Sequence, residues 1–197
     1  MARGLLKLLG WRVIFEGFPT LQGVAVVYPH TSNWDAVVMF LAKWDCGVPV
    51  MFWAKDKLFG WPVVGRWLRW IGGVPVQRIT KAGVVSQAVD VLLQHKSAGQ
   101  YFWLGLAPEG TRKFIPGLRS GFYQTAIAAQ VPLCLVKLDY ARREVSVKDF
   151  LQLTGNEAQD MARMAAVYAG VRGLIPDNMA PIQLLDKAVS RENTTVL

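Results

Sequence analysis

Short apolar runs alternate with longer mixed runs along most of the chain. Runs rich in β-branched and aromatic residues predict buried strands, and longer apolar stretches with helical spacing predict helices. The predicted strands cover 24–27, 47–53, 74–77, 100–106, 131–136 and, as a possible sixth, 144–148. The predicted helices cover 36–42, 81–95, 120–130 and 157–172. Because strands alternate with helices, the pattern predicts an α/β fold with a mostly parallel or mixed β-sheet flanked by helices.

The length of the chain limits how this pattern can be divided. A chain of 197 residues is long enough to enclose one full hydrophobic core. We therefore expect a single domain over residues 1–197. Within it, 1–18 form an amphipathic N-terminal segment and 156–197 form a C-terminal helix and tail.

The N-terminal segment combines basic side chains with a majority of apolar ones. Lys7 interrupts the apolar run and no small-residue cleavage site follows, which argues against a signal peptide. The segment is also too short and too charged to span a bilayer. Two interpretations are open: an amphipathic helix lying in the membrane interface, and a helix packed on the protein's own core.

The composition is more apolar than that of an ordinary soluble domain, with 52% hydrophobic and 18% charged residues. The formal net charge is +8, and all eight tryptophans lie before residue 104. Basic side chains mixed with indoles suit an anionic lipid surface, where indoles sit at headgroup level and cations meet phosphate. Nucleic acid is the other common partner of a basic chain, but no nucleic-acid-binding motif is present. We therefore expect an anionic membrane surface as a partner and no nucleic acid.

The strongest candidate for membrane contact is the segment 55–71, which interleaves basic and aromatic residues. The predicted contact residues are Trp61, Arg66, Trp67, Arg69 and Trp70. A buried helix pair with a few solvated arginines is the competing interpretation. The clustering of three tryptophans with two arginines favours lipid. The expected location is the cytoplasmic face of a membrane, with peripheral or monotopic attachment.

The candidate base lies between the first predicted strand and the first predicted helix. His30 lies in the loop and Asp35 in the first helical turn, so the two side chains can meet. Thr31, Ser32 and Asn33 supply side-chain acceptors that can start the helix. A carboxylate that takes the Nδ1 proton of an imidazole leaves Nε2 free to remove a proton from a hydroxyl. Taken alone, the stretch is more typical of a capped helix beside a histidine.

Position strengthens this hypothesis, because two further polar groups also begin near the ends of predicted strands. These groups are Arg78 and the run 109–112. The carboxyl ends of parallel strands meet at one edge of a sheet, where ligands bind, so we expect all three groups to line one cleft. The arginines are donors for a phosphate or carboxylate, and Thr111 adds a neutral donor. Glu109 has two open roles: holding an arginine in place, or contacting an acceptor hydroxyl.

Other chemistries lack the residues that they need. The chain contains no G-x-S-x-G elbow, no P-loop and no G-x-G-x-x-G motif, which leaves serine hydrolysis, nucleotide hydrolysis and dinucleotide binding without support. Cys46 and Cys134 lie far apart in apolar surroundings, as is typical of reduced core residues in a reducing compartment. With two histidines and two cysteines in the chain, we expect no metal site and no cofactor.

Four blocks of the chain resemble, in the same order, the motifs of the glycerolipid acyltransferase family typified by lysophosphatidic acid acyltransferases. Residues 30–35 resemble its HxxxxD block and 72–78 its glycine-to-arginine block. Residues 108–112 resemble its PEGTR block and 131–133 its final Val-Pro-hydrophobic block. Two positions depart from the pattern, since Pro29 and Ala107 stand where many members have Asn and Phe.

The resemblance implies an α/β acyltransferase fold and transfer of a fatty acyl group to the hydroxyl of a lysophosphatidic acid-like lysolipid. The implied donor is an acyl thioester, either acyl-CoA or acyl carrier protein, which acts as a co-substrate. The resemblance also implies that His30 is the base and that Asp35 orients it. The implied acceptor site comprises Arg78, Glu109, Gly110, Thr111 and Arg112.

Three alternatives stay open beside this reading. The acceptor could be a different lysolipid or an amino-acid lipid. The chain could be a catalytically silent lipid-binding protein of the same fold, although binding alone does not need the base formed by His30 and Asp35. Finally, it could be a thioesterase, in which water replaces the lipid hydroxyl.

Overall fold

The computed structural model of the protein describes residues 1–76 and 81–185. Over these residues the strands are β1 Arg12–Phe15, β2 Gln22–Tyr28, β3 Val50–Lys55, β4 Gly73–Val76, β5 Phe102–Leu106, β6 Leu133–Asp139 and β7 Glu144–Leu151. The helices are α1 Ala2–Leu8, α2 Trp34–Cys46, α3 Asp56–Phe59, α4 Pro62–Trp70, α5 Lys81–Ser97, α6 Gly121–Ala129 and α7 Glu157–Val167, with a 3₁₀ turn at Pro176–Asn178.

The strands form one mixed sheet in the order β1-β7-β6-β2-β5-β3-β4. β6, β2, β5, β3 and β4 run parallel to one another. β7 is antiparallel to β6, and β1 is parallel to β7. The predicted α/β fold with a largely parallel sheet is confirmed. The carboxyl ends of the five parallel strands therefore lie at one edge of the sheet.

β2 is the central strand, and helices cover both of its faces. Val24 and Val26 pack in the core cluster that includes α5, α6 and α7, whereas Ala25 packs in the cluster that includes α1 and α2. All three residues are at most 3% exposed. Gly23 leaves room for the buried ring of Trp103, since a Cβ at Gly23 would lie 2.3 Å from that ring. The strand that leads to the candidate base is therefore fixed from both sides.

The N-terminal segment departs from the prediction of one amphipathic helix over 1–18. The helix ends at Leu8, and the chain then forms edge strand β1 against β7. The strand was not predicted because its partner is remote, with Arg12 bonded to a residue 132 positions away. Leu6 is buried in the core that α1 shares with α2. The exposed apolar side chains here are Leu5 and Leu8 of α1 and Leu9, which directly follows the helix.

The C-terminal helix is shorter than predicted. α7 ends at Val167, and Gly170 then takes a positive φ of 75°, which turns the chain out of the helix. Tyr168 is buried, and its hydroxyl donates a hydrogen bond of 2.8 Å to the carbonyl of Val26 in β2. The segment 171–185 that follows, which we call the C-terminal strap, is largely irregular. It runs back over the carboxyl edge of the sheet, as its contacts with the candidate site show.

Candidate active site

The structure brings together the two residues of the predicted base. His30 lies two residues beyond the end of β2, and Asp35 is the second residue of α2. The Nδ1 atom of His30 lies 3.2 Å from Oδ2 of Asp35, which is a hydrogen-bonding distance. The imidazole side chain is 19% exposed and the carboxylate 1% exposed. This arrangement leaves Nε2 of the imidazole available to a substrate.

The Asp35 carboxylate is held from several directions. Its Oδ2 atom accepts hydrogen bonds from the backbone N–H groups of Thr31, at 2.7 Å, and Ser32, at 2.8 Å. Burial acts to raise the pKa of Asp35, but the hydrogen bonds from His30, Ser32 and Tyr140 together hold that pKa below its usual range. Asp35 therefore stays ionised, as the partner of a general base must.

The start of α2 differs from the predicted capping by side chains. Asn33 precedes the helix but makes no side-chain capping hydrogen bond. Ser32 does cap, because its Oγ accepts from the N–H of Trp34 at 3.2 Å. The Asp35 carboxylate reaches back instead and binds the loop amides, so the residue that orients the imidazole also shapes the loop.

Tyr140 is a site residue that the sequence reasoning missed. It directly follows β6, and its hydroxyl donates a 2.7 Å hydrogen bond to Oδ1 of Asp35. Burial, with the charge of Asp35 beside it, raises the pKa of Tyr140 well above its usual range, so the phenol remains a donor. The available signal was position, since Tyr140 is a polar-tipped residue at the carboxyl end of a parallel strand.

Glu109 joins the loop after β5 to the base. It is 1% exposed, and its Oε2 accepts a 2.8 Å hydrogen bond from the backbone N–H of His30. Burial raises the pKa of Glu109 to about 7, the nearby Asp35 charge adds to this, and the amides of His30 and Ala180 oppose it. Its second oxygen, Oε1, is buried without a hydrogen bond of standard geometry. Within residues 1–76 and 81–185, Glu109 forms no ion pair with an arginine. It contacts the loop 29–33 between β2 and α2, which we call the catalytic loop because it holds the predicted base.

The rest of the PEGTR block forms an open loop. Gly110 has a positive φ of 65°, which glycine adopts without strain. Arg119 lies against this glycine, and its Nε donates to the carbonyl of Glu109 at 3.2 Å. Thr111 is half-buried and Arg112 is exposed, so the Arg112 guanidinium is free to meet an anionic ligand. Arg119 is a further cation in this loop that the sequence reasoning did not single out.

The predicted contribution of Arg78 lies outside the described residues. β4 ends at Val76 and runs parallel to β3. The carboxyl end of β4 therefore lies at the same edge of the sheet as the other polar groups.

The C-terminal strap closes one side of the site. Tyr28, the last residue of β2, donates from its hydroxyl to the carbonyl of Ala180 at 2.7 Å. The N–H of Ile175 donates to Oγ1 of Thr31 at 3.2 Å. Gly173 packs so closely that a Cβ there would lie 2.8 Å from the same Oγ1 atom. The sequence reasoning gave this segment no role, because its contacts join positions far apart in the chain.

The predicted membrane-contact residues lie on an exposed helix. Trp61 precedes α4 and is 64% exposed, while Trp67 and Trp70 in α4 are 49% and 73% exposed. Arg66 and Arg69 are exposed on the same helix. Phe59, Leu68 and Ile71 form a small core that anchors α4 to the protein. Across the described part of the chain, the helices are all too short or too polar to cross a bilayer.

The exposed aromatic surface extends from α4 onto α2. Each exposed position within α2 is apolar, namely Trp34, Val37 and Trp44. The ring of Trp44 lies 5.8 Å from that of Trp70 in α4. Because Trp34 directly precedes Asp35, this surface, formed by the outer sides of α2 and α4, reaches the edge of the candidate site.

Comparisons with known proteins identify the family and the fold. A family model described as Acyltransferase matches residues 12–137, which include His30, Asp35 and Glu109. Among solved structures, the chain is similar to the crystal structure of the 1-acyl-sn-glycerophosphate (LPA) acyltransferase PlsC from Thermotoga maritima. The TM-score is 0.53 and the identity 18%, with 84% of this chain and 73% of that chain covered, so this likeness shows the fold. A search of curated proteins finds no match.

Proposed function

The chain belongs to the acyltransferase family, and from this premise we propose that it acylates a lysophosphatidic acid-like lysolipid at a membrane surface. The proposed donor is an acyl thioester, either acyl-CoA or acyl carrier protein. The observation that carries the proposal is the 3.2 Å contact between His30 Nδ1 and Asp35 Oδ2. A binding protein has no need of an imidazole that is oriented by a carboxylate through Nδ1.

The proposed chemistry uses His30 first as a base and then as an acid. Nε2 takes the proton of the acceptor hydroxyl as the hydroxyl oxygen attacks the thioester carbonyl carbon. Asp35 stabilises the imidazolium that forms, as a carboxylate on Nδ1 does in related base pairs. The tetrahedral intermediate then collapses with cleavage of the C–S bond, and the imidazolium proton passes to the leaving thiolate. The products are the acylated lipid and the free thiol.

The proposed acceptor site lies on the β5 side of His30. Glu109 fixes the backbone of His30, and three residues further along Arg112 is exposed and able to bind a phosphate. Gly110 and Thr111 shape the same loop, and we assign Arg78 to this site on the resemblance of its sequence block. A phosphate held here would bring a nearby lipid hydroxyl towards Nε2.

We place the membrane on the surface formed by α2 and α4. Exposed indoles mixed with Arg66 and Arg69 suit the headgroup region of an anionic bilayer. Peripheral attachment through this surface would deliver a lysolipid to the site without removing the whole molecule from the bilayer. Trp34, 63% exposed beside Asp35, marks the point where the surface and the site meet.

The test is acyl transfer by purified protein supplied with labelled acyl-CoA or acyl carrier protein and a panel of lysolipids. We expect a labelled diacyl product from the phosphate-bearing lysolipid, and its loss in His30→Ala. His95→Gln is the matched control, because His95 lies on α5 and contacts the carbonyl of Val91 rather than the site. Product formation only from another lysolipid or an amino-acid lipid would identify that lipid as the acceptor instead.

Two results would overturn the enzymatic proposal. Free fatty acid released at the same rate with and without acceptor would identify a thioesterase. Vesicle binding without any turnover, with His30→Ala behaving like wild type, would identify a lipid-binding protein that has kept the fold.

A further inference from the structure

The two oxygens of the Asp35 carboxylate have very different surroundings. Oδ2 faces His30 Nδ1 and accepts from two backbone amides, whereas Oδ1 accepts from the Tyr140 hydroxyl. A partial rotation of the carboxylate about its Cβ–Cγ bond would move both oxygens away from these partners. The Tyr140 hydroxyl stabilises the observed orientation of the carboxylate through its hydrogen bond to Oδ1.

We propose that Tyr140 is a positioning residue that fixes the rotation of the Asp35 carboxylate and thereby the orientation of the His30 imidazole. The proposal rests on the function given above and adds a residue outside the span that the family model matches, since residues 12–137 end before it. The base would then be completed by a residue beyond the span that the family model matches.

Tyr140 is itself held firmly enough to act in this way. Its N–H donates to the carbonyl of Arg172 at 2.8 Å, at the start of the C-terminal strap. Its ring packs edge-on against Trp11, with centroids 4.9 Å apart and an interplanar angle of 89°. Asp139 accepts from the next two backbone amides and so fixes the turn that follows. The hydroxyl is therefore presented to Asp35 by an ordered backbone and a packed ring.

The charged and titratable groups around the base come from four elements. Asp35 lies on α2, Glu109 follows β5, Tyr140 follows β6, and Tyr28 ends β2. Glu109 accepts a hydrogen bond from the backbone of His30, whereas Tyr140 donates one to Asp35, the carboxylate beside the His30 imidazole. Loss of the phenol would leave a buried carboxylate oxygen without its donor and concentrate the negative charge on the side of the imidazole.

The test compares two substitutions that remove the same kind of bond. Tyr140→Phe deletes the bond to Asp35, and Tyr123→Phe deletes the 2.9 Å bond from a tyrosine hydroxyl to the buried Asp160, which lies on α7. We expect Tyr140→Phe to lower kcat about tenfold, as one lost charge-assisted hydrogen bond would, with KM for both substrates nearly unchanged. The acid limb of its kcat/KM profile should move to higher pH. Tyr123→Phe should leave both readouts as in wild type.

A second readout is independent of turnover. His30 and His95 are the two histidines of the chain, so their imidazole signals can be followed by NMR and assigned with His95→Gln. We expect Tyr140→Phe to move the titration midpoint of the His30 signal to higher pH, and Tyr123→Phe to leave it in place. If the wild-type protein shows no acyl transfer, the proposed function is refuted. The NMR titration still tests whether Tyr140 positions Asp35 and His30. An unchanged His30 titration, or an unchanged kcat in an active enzyme, would overturn the inference.

Discussion

The backbone N–H of His30 donates a hydrogen bond of 2.8 Å to Oε2 of Glu109. The HxxxxD block and the PEGTR block are thus joined by a bond between a main chain and a buried carboxylate, although 79 positions separate them in the sequence. Glu109 therefore contacts the backbone of the loop that holds the proposed base. Its tightly buried carboxylate gives the first testable consequence.

We predict that Glu109 makes the stability of the protein fall with rising pH. Its pKa is raised from 4.5 to about 7 in the folded state, so between these values the folded protein holds a proton that the unfolded chain releases. The free energy of unfolding should therefore decrease across this window, by on the order of 3 kcal/mol, and then level off above it. Glu109→Gln removes this contribution. Urea unfolding of both proteins from about pH 4.5 to 8 measures the difference, and parallel pH profiles would contradict it.

Asp35→Asn should abolish most of the activity. The substitution removes the charge that stabilises the imidazolium. An amide has one acceptor oxygen, so it cannot accept both from the loop N–H groups of Thr31 and Ser32 and from the Tyr140 hydroxyl. We expect kcat to fall at least about 100-fold and the protein to lose about 1–3 kcal/mol of stability. Asp45→Asn is the control on the same helix, since Asp45 pairs with the exposed Arg3 at 2.8 Å. Similar kcat values for the two variants would argue against an oriented base.

The surface formed by α2 and α4 should bind anionic vesicles. Replacing Trp61, Trp67 and Trp70 together by alanine should weaken co-sedimentation at least about tenfold, because each indole is exposed in the free protein and can enter the headgroup region. Added salt should weaken wild-type binding, since Arg66 and Arg69 act by charge. The control replaces Leu93 and Ile127, which are also exposed. They lie on α5 and α6, and these helices pack on the other face of the sheet through other residues. An equal loss of vesicle binding in both variants would contradict a specific role of the α2 and α4 surface in membrane binding.

Gly173→Ala should lower activity through the strap. A Cβ at this position would lie 2.8 Å from Thr31 Oγ1 and 3.1 Å from Pro29 Cγ, so the catalytic loop must shift to accept it. We expect kcat to fall about tenfold, because the Thr31 N–H that holds Asp35 would move with the loop. Gly121→Ala is the control, since its Cβ would meet nothing nearer than Val85 Cγ2 at 3.9 Å. A wild-type kcat in Gly173→Ala would show that the C-terminal strap does not control the position of the catalytic loop.

The sequence predicted the elements whose signal is local. β2 and α2 were found because each contains an uninterrupted apolar run, rich in β-branched residues in β2 and longer in α2. The meeting of His30 and Asp35 followed from a loop joined to a helix start, and the approach of Glu109 followed from the common edge of parallel strands. These inferences needed the order of elements along the chain and no distant pairing.

What the sequence missed depends on contacts between remote positions. β1 lies in a basic and apolar segment that also fits a helix, and its strand character comes from pairing with β7. Tyr140 reaches Asp35 across 105 positions, and Ile175 reaches Thr31 across 144. A tyrosine after a strand and an irregular tail carry no local pattern that points to a catalytic carboxylate. Only the arrangement of the sheet brings them to the base.

The strand order β6-β2-β5 distributes the proposed site over three separate loops. The proposed base follows the central strand, its proposed support follows the strand on one side, and the proposed anion-binding loop follows the strand on the other. Residues 111–114 are exposed or half-buried, so they can be varied in a library while Glu109 and the segments around His30 and Tyr140 are kept intact. Selection from such a library offers a route to enzymes that keep the acyl-transfer chemistry and accept a different alcohol.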